Sequence, residues 1–258
     1  MEAIYRVDGQ HADTRKHAGG PWDHGMQHGA APSALMLWAA ENLDTRAPMR
    51  IARVSVDLLR PVPVTPLRYE AAVIREGRKI QLCGVRLLAK DTEVARATVL
   101  KLRVAPQDLP MDTAEPAMTL PLPEECPALE DTRASSTPFI TGMSIRNARG
   151  SFLQPGPGAV WFRADRPVVE GAPITPAMRA MIASDFCNAV SVPLSFSEWT
   201  FINADLTMHL VRYPEGEWVI LDGTTWMGPD GIAIAFARLG DAHGYFGRAI
   251  QSVLIERR

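Results

Sequence analysis

The sequence is short of cysteine. Its 258 residues hold three, Cys83, Cys126 and Cys187. An odd number at wide spacing makes neither a disulfide framework nor a cysteine zinc site. No apolar run approaches the ~20 residues a membrane-spanning helix needs. The opening MEAIYRVDGQ has neither the basic nor the apolar segment of an export signal. A cytoplasmic protein in a reducing compartment is the expectation. Charge of one sign is lacking too. The formal net charge is -2, which gives no pull toward nucleic acid or anionic lipid. There is no G-x-S-x-G, so a serine α/β-hydrolase is disfavoured. There is no Walker loop and no G-x-G-x-x-G. His24 and His28 in WDHGMQH have the spacing of a helical metal pair. Gly25 and the preceding GGPW make that stretch a loop, and no nearby acid or cysteine completes a set. No metal or cofactor is expected.

What is present is an ordinary globular composition, 47% hydrophobic and 22% charged, in a chain long enough for one large domain or two small ones. The segment Pro106 to Pro138 is dense in proline and acid and has no sustained period, as in an extended linker. It divides the chain into residues 1–105 and 139–258. Each part runs in the same order: strand, helix, then about four strands. The first helix is PSALMLWAAENL, with Pro32 in its first turn. The second lies in TPAMRAMIASDFCNAV, with Thr175 as N-cap and Pro176 at the first helical position. Asp57 in SVDLLR matches Asp205 in NADLTM, and VARATVLKL matches FGRAIQSVL. This is an internal duplication. PSALMLWAAENL is apolar on nearly all sides, so it must be buried. One buried helix with a meander around it gives an α+β class, with two tandem antiparallel sheets each wrapped around a central helix.

Further stretches carry a family resemblance: QHGAAPSALMLWAAE, VDLLRPVPV and IREGRK in the first part, ADLTMHLVRYPEGEWVILDGTTW and GRAIQSVL in the second. In this order they resemble the acyl-CoA thioesterase II family, which has the double hot-dog fold. The resemblance implies hydrolysis of an acyl-CoA thioester to free acid and CoA. It also implies a strand aspartate, a hydroxyl on the next strand and a glutamine on the last strand around one water. Asp205, Thr225 or Thr224, and Gln251 occupy those places. Leu206 stands where family members often carry histidine.

The residue types suit that chemistry. A carboxylate takes a proton from water as general base, worth about 10²–10⁴ in rate. A neutral hydroxyl and amide fix the water's lone pairs. Gln251 shares a strand face with Ala249, Val253 and Ile255, so it is either a core amide satisfied by backbone or part of a site. Gly29 and Ala30, where QHGAAP leads into the buried helix, can offer free N–H groups to a developing oxyanion. His28 and Arg78 are assigned to substrate binding, Arg78 through the phosphates of CoA. Because Val99 takes the place of Gln251 in the first half, a single working site is expected. Two other readings stay open. Asp205 and His209 share a strand face and would suit hydration of an enoyl thioester. A hot-dog protein that binds acyl ligands without turnover is the other, favoured by Leu206. The expected assembly is a monomeric double hot-dog or a homo-oligomer of it, with an acyl-CoA or similar acyl thioester as substrate.

Overall fold

PSALMLWAAE is buried, as its composition requires. The computed structural model describes residues 1–109, 115–130, 134 and 136–258. In it Ala30–Glu41 form helix α1, from which solvent is nearly excluded on every side. It packs on the strands of its own half and on helix α2, Pro176–Ser184. Thr175 caps α2 as its residue type predicts: its Oγ1 accepts the Met178 N–H at 3.1 Å.

The single helix expected over 175–190 is two. After α2 the chain breaks at Asp185 and Phe186 and resumes as a short helix α3, Cys187–Ser191. A side chain from outside bridges the break. Gln251 Nε2 donates to the Asp185 carbonyl at 3.1 Å, and its Oε1 accepts the Asn188 N–H at 3.1 Å. In an unbroken helix that N–H and that carbonyl would bond within the helix.

Thirteen strands form one sheet among the described residues, all pairs antiparallel. In the first half they are β1 Tyr5–Asp8, β2 His11–Thr14, β3 Met49–Leu58, β4 Leu67–Glu76, β5 Ile80–Ala89 and β6 Thr92–Arg103. In the second they are β7 Met143–Arg149, β8 Gly158–Ala164, β9 Trp199–Asn203, β10 Asp205–Leu210, β11 Val219–Met227, β12 Ile232–Asp241 and β13 Gly244–Arg257. The order is β1-β2-β4-β5-β6-β3-β10-β13-β12-β11-β8-β7, with β9 on β13. The expectation of two separate sheets is therefore corrected. β3 and β10 join the halves, and the order reads nearly the same outward from this seam. Asp57 lies directly opposite Asp205 across it. The two residues matched by sequence meet at the axis that relates the halves. The first strand also clasps the second half, where Tyr5 N–H donates to Val168 O at 2.8 Å.

Part of the proline-rich segment runs over the outer face of the second half. Met118, Leu120 and Cys126 pack against Trp161 and Ile220, and Trp161 Nε1 donates to Pro121 O at 3.0 Å. Residues 110–114, 131–133 and 135 of this segment lie outside the described residues. No helix among the described residues is long and apolar enough to cross a membrane.

Candidate functional site

The stretch NADLTMHL alternates polar and apolar, yet its polar residues do not share one face. Asn203 pairs with Val253, whereas Thr207 pairs with Ile250. The sum of paired numbers changes by one between them, so one extra residue, Ala204, is accommodated as a bulge. A one-residue slip reverses the facing of every side chain beyond it. Asn203 therefore turns inward with buried Val253, while Asp205, Thr207 and His209 turn outward with half-exposed Ile250. Continuing the β10–β13 register sets Leu206 opposite Gln251 and Asp205 opposite Ser252. Leu206 and Gln251 are both fully buried.

This corrects the placement of Asp205. Its carboxylate lies on the outer side of the sheet and accepts the Ser252 N–H at 2.6 Å. Gln251 faces the other side. Thr224 pairs with half-exposed Phe236 and is also outward. Thr225 is inward, opposite fully buried Ala235, but its hydroxyl bonds Ser191 Oγ at 2.7 Å. It is two strands from Gln251, about 10 Å by strand spacing. His209 is exposed on the outer face with Asp205, so the pair suited to enoyl hydration faces away from the core.

The carboxylate that does meet Gln251 is Asp185, at the break between α2 and α3. It is 5% exposed. Its Oδ1 accepts from Asn203 Nδ2 at 2.9 Å and from Gln251 Nε2 at 3.5 Å. Its Oδ2 lies 2.9 Å from His28 Nδ1. Gly29, the N-cap of α1, sits directly behind. A Cβ there would come within 2.8 Å of Oδ1 and 2.9 Å of Oδ2, so only glycine permits this approach. The Ala30 N–H points at His28 Nδ1, 3.2 Å away. The expected helix-head groups Gly29 and Ala30 thus stand against a carboxylate supplied by the other half.

These groups open on a cavity of about 1040 Å³. His28, Gly29, Asp185, Asn188 and Asn203 line it on the polar side. Trp22, Phe152, Phe186, Phe196 and Phe201 supply much of the apolar wall. The His28 ring stacks on Phe139, with centroids 4.7 Å apart and an interplanar angle of 16°, and Phe186 lies against it at 4.7 Å with a tilt of 42°. Arg60 and Arg258 are at the rim, Arg258 lying over the Trp22 ring at 5.0 Å. Arg78 is in the exposed β4–β5 turn and does not line the cavity. Among the described residues no group of three or more His, Cys, Asp and Glu is placed to hold a metal ion.

Asp185 escaped the sequence reading because it sits inside an apolar helix pattern. The available signal was its isolation: it is the only acid between Glu170 and Glu198, flanked by Ile182, Ala183, Phe186 and Cys187. A charge in such a setting must be partnered. Cys187 beside it is buried, and burial pushes its thiol far above the ordinary range, so it stays protonated.

Comparison with known proteins bears on both halves. Residues 18–102 match the profile of the acyl-CoA thioesterase N-terminal domain, and residues 123–255 match that of the acyl-CoA thioesterase C-terminal domain. No curated protein sequence matches the chain. Among solved structures, a conserved protein of unknown function with a hot dog fold from Alicyclobacillus acidocaldarius superposes with a TM-score of 0.77. It is 16% identical over 98% of this chain and 95% of that one. The tesB protein of Mycobacterium avium subs paratuberculosis gives 0.71 at 18% identity, over 98% and 96%. Acyl-CoA thioesterase II TesB2 of Mycobacterium marinum gives 0.69 at 14% identity, over 98% and 94%. The chain has the hot-dog fold.

Proposed function

Because the chain belongs to the acyl-CoA thioesterase family, we propose that it hydrolyses acyl-CoA thioesters in the cavity between its halves, with Asp185 as the driving carboxylate. We read the two halves as a double hot-dog, each built on its central helix; the outward symmetry of strand order about the β3–β10 seam supports this. The observation that carries the function is the convergence of Asp185, Asn203 and the head of α1 on one large, mostly apolar cavity, with Gln251 holding Asp185 from behind.

The groups fit the demands of the reaction. The acyl chain would lie along Phe152, Phe196 and Phe201. The negative charge of Asp185 favours removal of a proton from the attacking water. Asn203 and Gln251 hold the carboxylate in one orientation, each through an N–H. The thioester oxygen, as it gains charge, would sit at the N-terminus of α1, where Gly29 brings the backbone close. One such donor is worth about 10²–10³ in rate. The reaction adds water across the C–S bond and gives a free acid and a thiol.

The test is a panel of acyl-CoA substrates of increasing length, followed by release of free CoA. Asp185→Asn should lower kcat by about 10²–10⁴ while leaving the melting transition in place. If wild type and D185N release CoA at the same rate for every substrate, hydrolysis at this place is wrong. Tight acyl-CoA binding without turnover would instead favour the binding-protein reading.

A further inference from the structure

We propose that His28 is the group that moves the proton in this cavity, with Asp185 acting on the substrate through it as a positioning residue. The proposal rests on the thioester-hydrolysis reading of the same cavity and assigns its general base and acid.

The argument begins with a conflict at one atom. Nδ1 of His28 is 2.9 Å from Asp185 Oδ2 and 3.2 Å from the Ala30 nitrogen. An imidazole nitrogen offers one hydrogen-bond position in the ring plane: it carries either a proton or a lone pair. With a lone pair, it would accept from Ala30 N–H but face the Asp185 carboxylate lone pairs at 2.9 Å, which is repulsive. With a proton, it sets its positive end 2.9 Å from the Asp185 carboxylate and leaves Ala30 unanswered. The hydrogen bond in place at Nδ1 is that of Ala30, but the carboxylate contact is the shorter, and a full negative charge at 2.9 Å outweighs one neutral N–H dipole. The proton therefore sits on Nδ1. The other nitrogen, Nε2, then keeps its lone pair.

The surroundings leave that lone pair only one outlet. Phe139 stacks on the ring and Phe186 packs against it at a tilt. Nδ1 is occupied. No hydrogen bond to Nε2 exists among the described residues, and the side chain lines the cavity. The titratable or charged groups lining the cavity are Asp23, His28, Arg60, Asp185 and Arg258. Both oxygens of Asp185 are already engaged, Oδ1 by Asn203 and Gln251 and Oδ2 by His28. His28 is the one with a free basic atom beside the helix head.

The step balances with one borrowed proton. Nε2 takes a proton from water as the water oxygen bonds the thioester carbon, and His28 becomes imidazolium beside the Asp185 carboxylate. The tetrahedral intermediate collapses by breaking its C–S bond. The leaving thiolate then takes the proton from Nε2, giving thiol, free acid and the original histidine.

His28→Asn is the informative variant, since an amide N–H can still reach Asp185 but the new side chain has no titratable nitrogen. We expect kcat to fall by about 10²–10⁴ with KM near the wild-type value. The limb of the pH–rate profile that His28 contributes should vanish. A second measurement needs no activity: long-range ¹H–¹⁵N NMR of the histidine rings in the full chain. Wild-type His28 should be the Nδ1–H tautomer. In D185N the repulsion is gone, Ala30 wins Nδ1, and the ring should switch to Nε2–H. An Nε2–H ring in the wild type overturns the proposal whether or not the protein is active. If the wild type hydrolyses thioesters and H28N keeps the same rate and pH profile, His28's role fails and the hydrolysis reading stands. If the tautomers are as expected but no thioester is cleaved, the hydrolysis reading fails while the poised base stands.

Discussion

Two helix crossings in this chain are built alike and end differently. At one, the head of α1 meets the tail of α2, and Gly29 and His28 face Asp185. At the other, the head of α2 meets the tail of α1, and Thr175 Oγ1 donates to the Glu41 carboxylate, with its oxygens at 2.9 and 3.0 Å. Each carboxylate lies nine positions beyond the helix proline (41 minus 32, 185 minus 176). The duplication thus supplies an acid at both crossings, buried at Asp185 and half-buried at Glu41. The surroundings of Glu41 close on themselves. Lys101 Nζ donates to Leu43 O at 2.9 Å, and Gln81 Nε2 donates to Asp44 O at 2.6 Å. Glu41 does not line the cavity. A carboxylate at a helix end therefore follows from the fold. What singles out Asp185 is open space, two amides and an imidazole with a free edge.

The largest effect that tests this contrast is on turnover: D185N should lose about 10²–10⁴ in kcat, whereas Glu41→Gln should keep the wild-type rate. If E41Q is equally damaged, the two crossings are not functionally distinct. Next comes Gly29→Ala, whose methyl would press on both Asp185 oxygens. A displacement of about 1 Å at the reacting groups is worth about 10² in rate. Steady-state kinetics beside a thermal melt should show that loss with a much smaller change in stability.

A smaller effect separates the crossings by pH. Burial raises the Glu41 pKa to about 7 from an ordinary 4.5, against the opposing pull of Thr175 and Lys101. Between these values the folded state holds a proton that the unfolded chain has released. Stability from this group is full below 4.5 and is lost as pH rises through about 7. Glutamine never ionises, so E41Q should melt higher than wild type at pH 8 and about equally at pH 4.5. A wild-type excess at pH 8 would mean that the attraction of Lys101 outweighs burial. The smallest effect is expected of Asp205→Asn. Its carbonyl still accepts the Ser252 N–H on the outer face, so activity should hold and stability should move by about 0.5 kcal/mol or less. A large loss of turnover in D205N would restore the outer face as the site.

Much of the fold was legible from the chain. The buried first helix, the Thr175 cap, the repeated order and the matching of Asp57 with Asp205 all came from apolar pattern and spacing. Gln251 was marked by lying on an apolar face, and it proved to be both a site neighbour and the bridge across a helix break. The misreadings share one cause: each depended on a partner distant in sequence. The bulge at Ala204 leaves the alternation of NADLTMHL intact, because Asn203 is polar whichever way it points; only its pairing with Val253 reveals the reversal. The break at Asp185 has no glycine or proline to announce it, because Gln251, sixty-six residues later, replaces the missing helix bonds. The β3–β10 seam likewise exists only when both halves are present.

The His28–Asp185 contact joins residues separated by 157 positions (185 minus 28), one from each copy of the duplicated unit. During synthesis the histidine emerges long before its carboxylate. An N-terminal half that has already collapsed around its own helix still lacks the acid, both amides and most of the aromatic wall. On the proposed mechanism, catalytic competence comes only when the second copy docks.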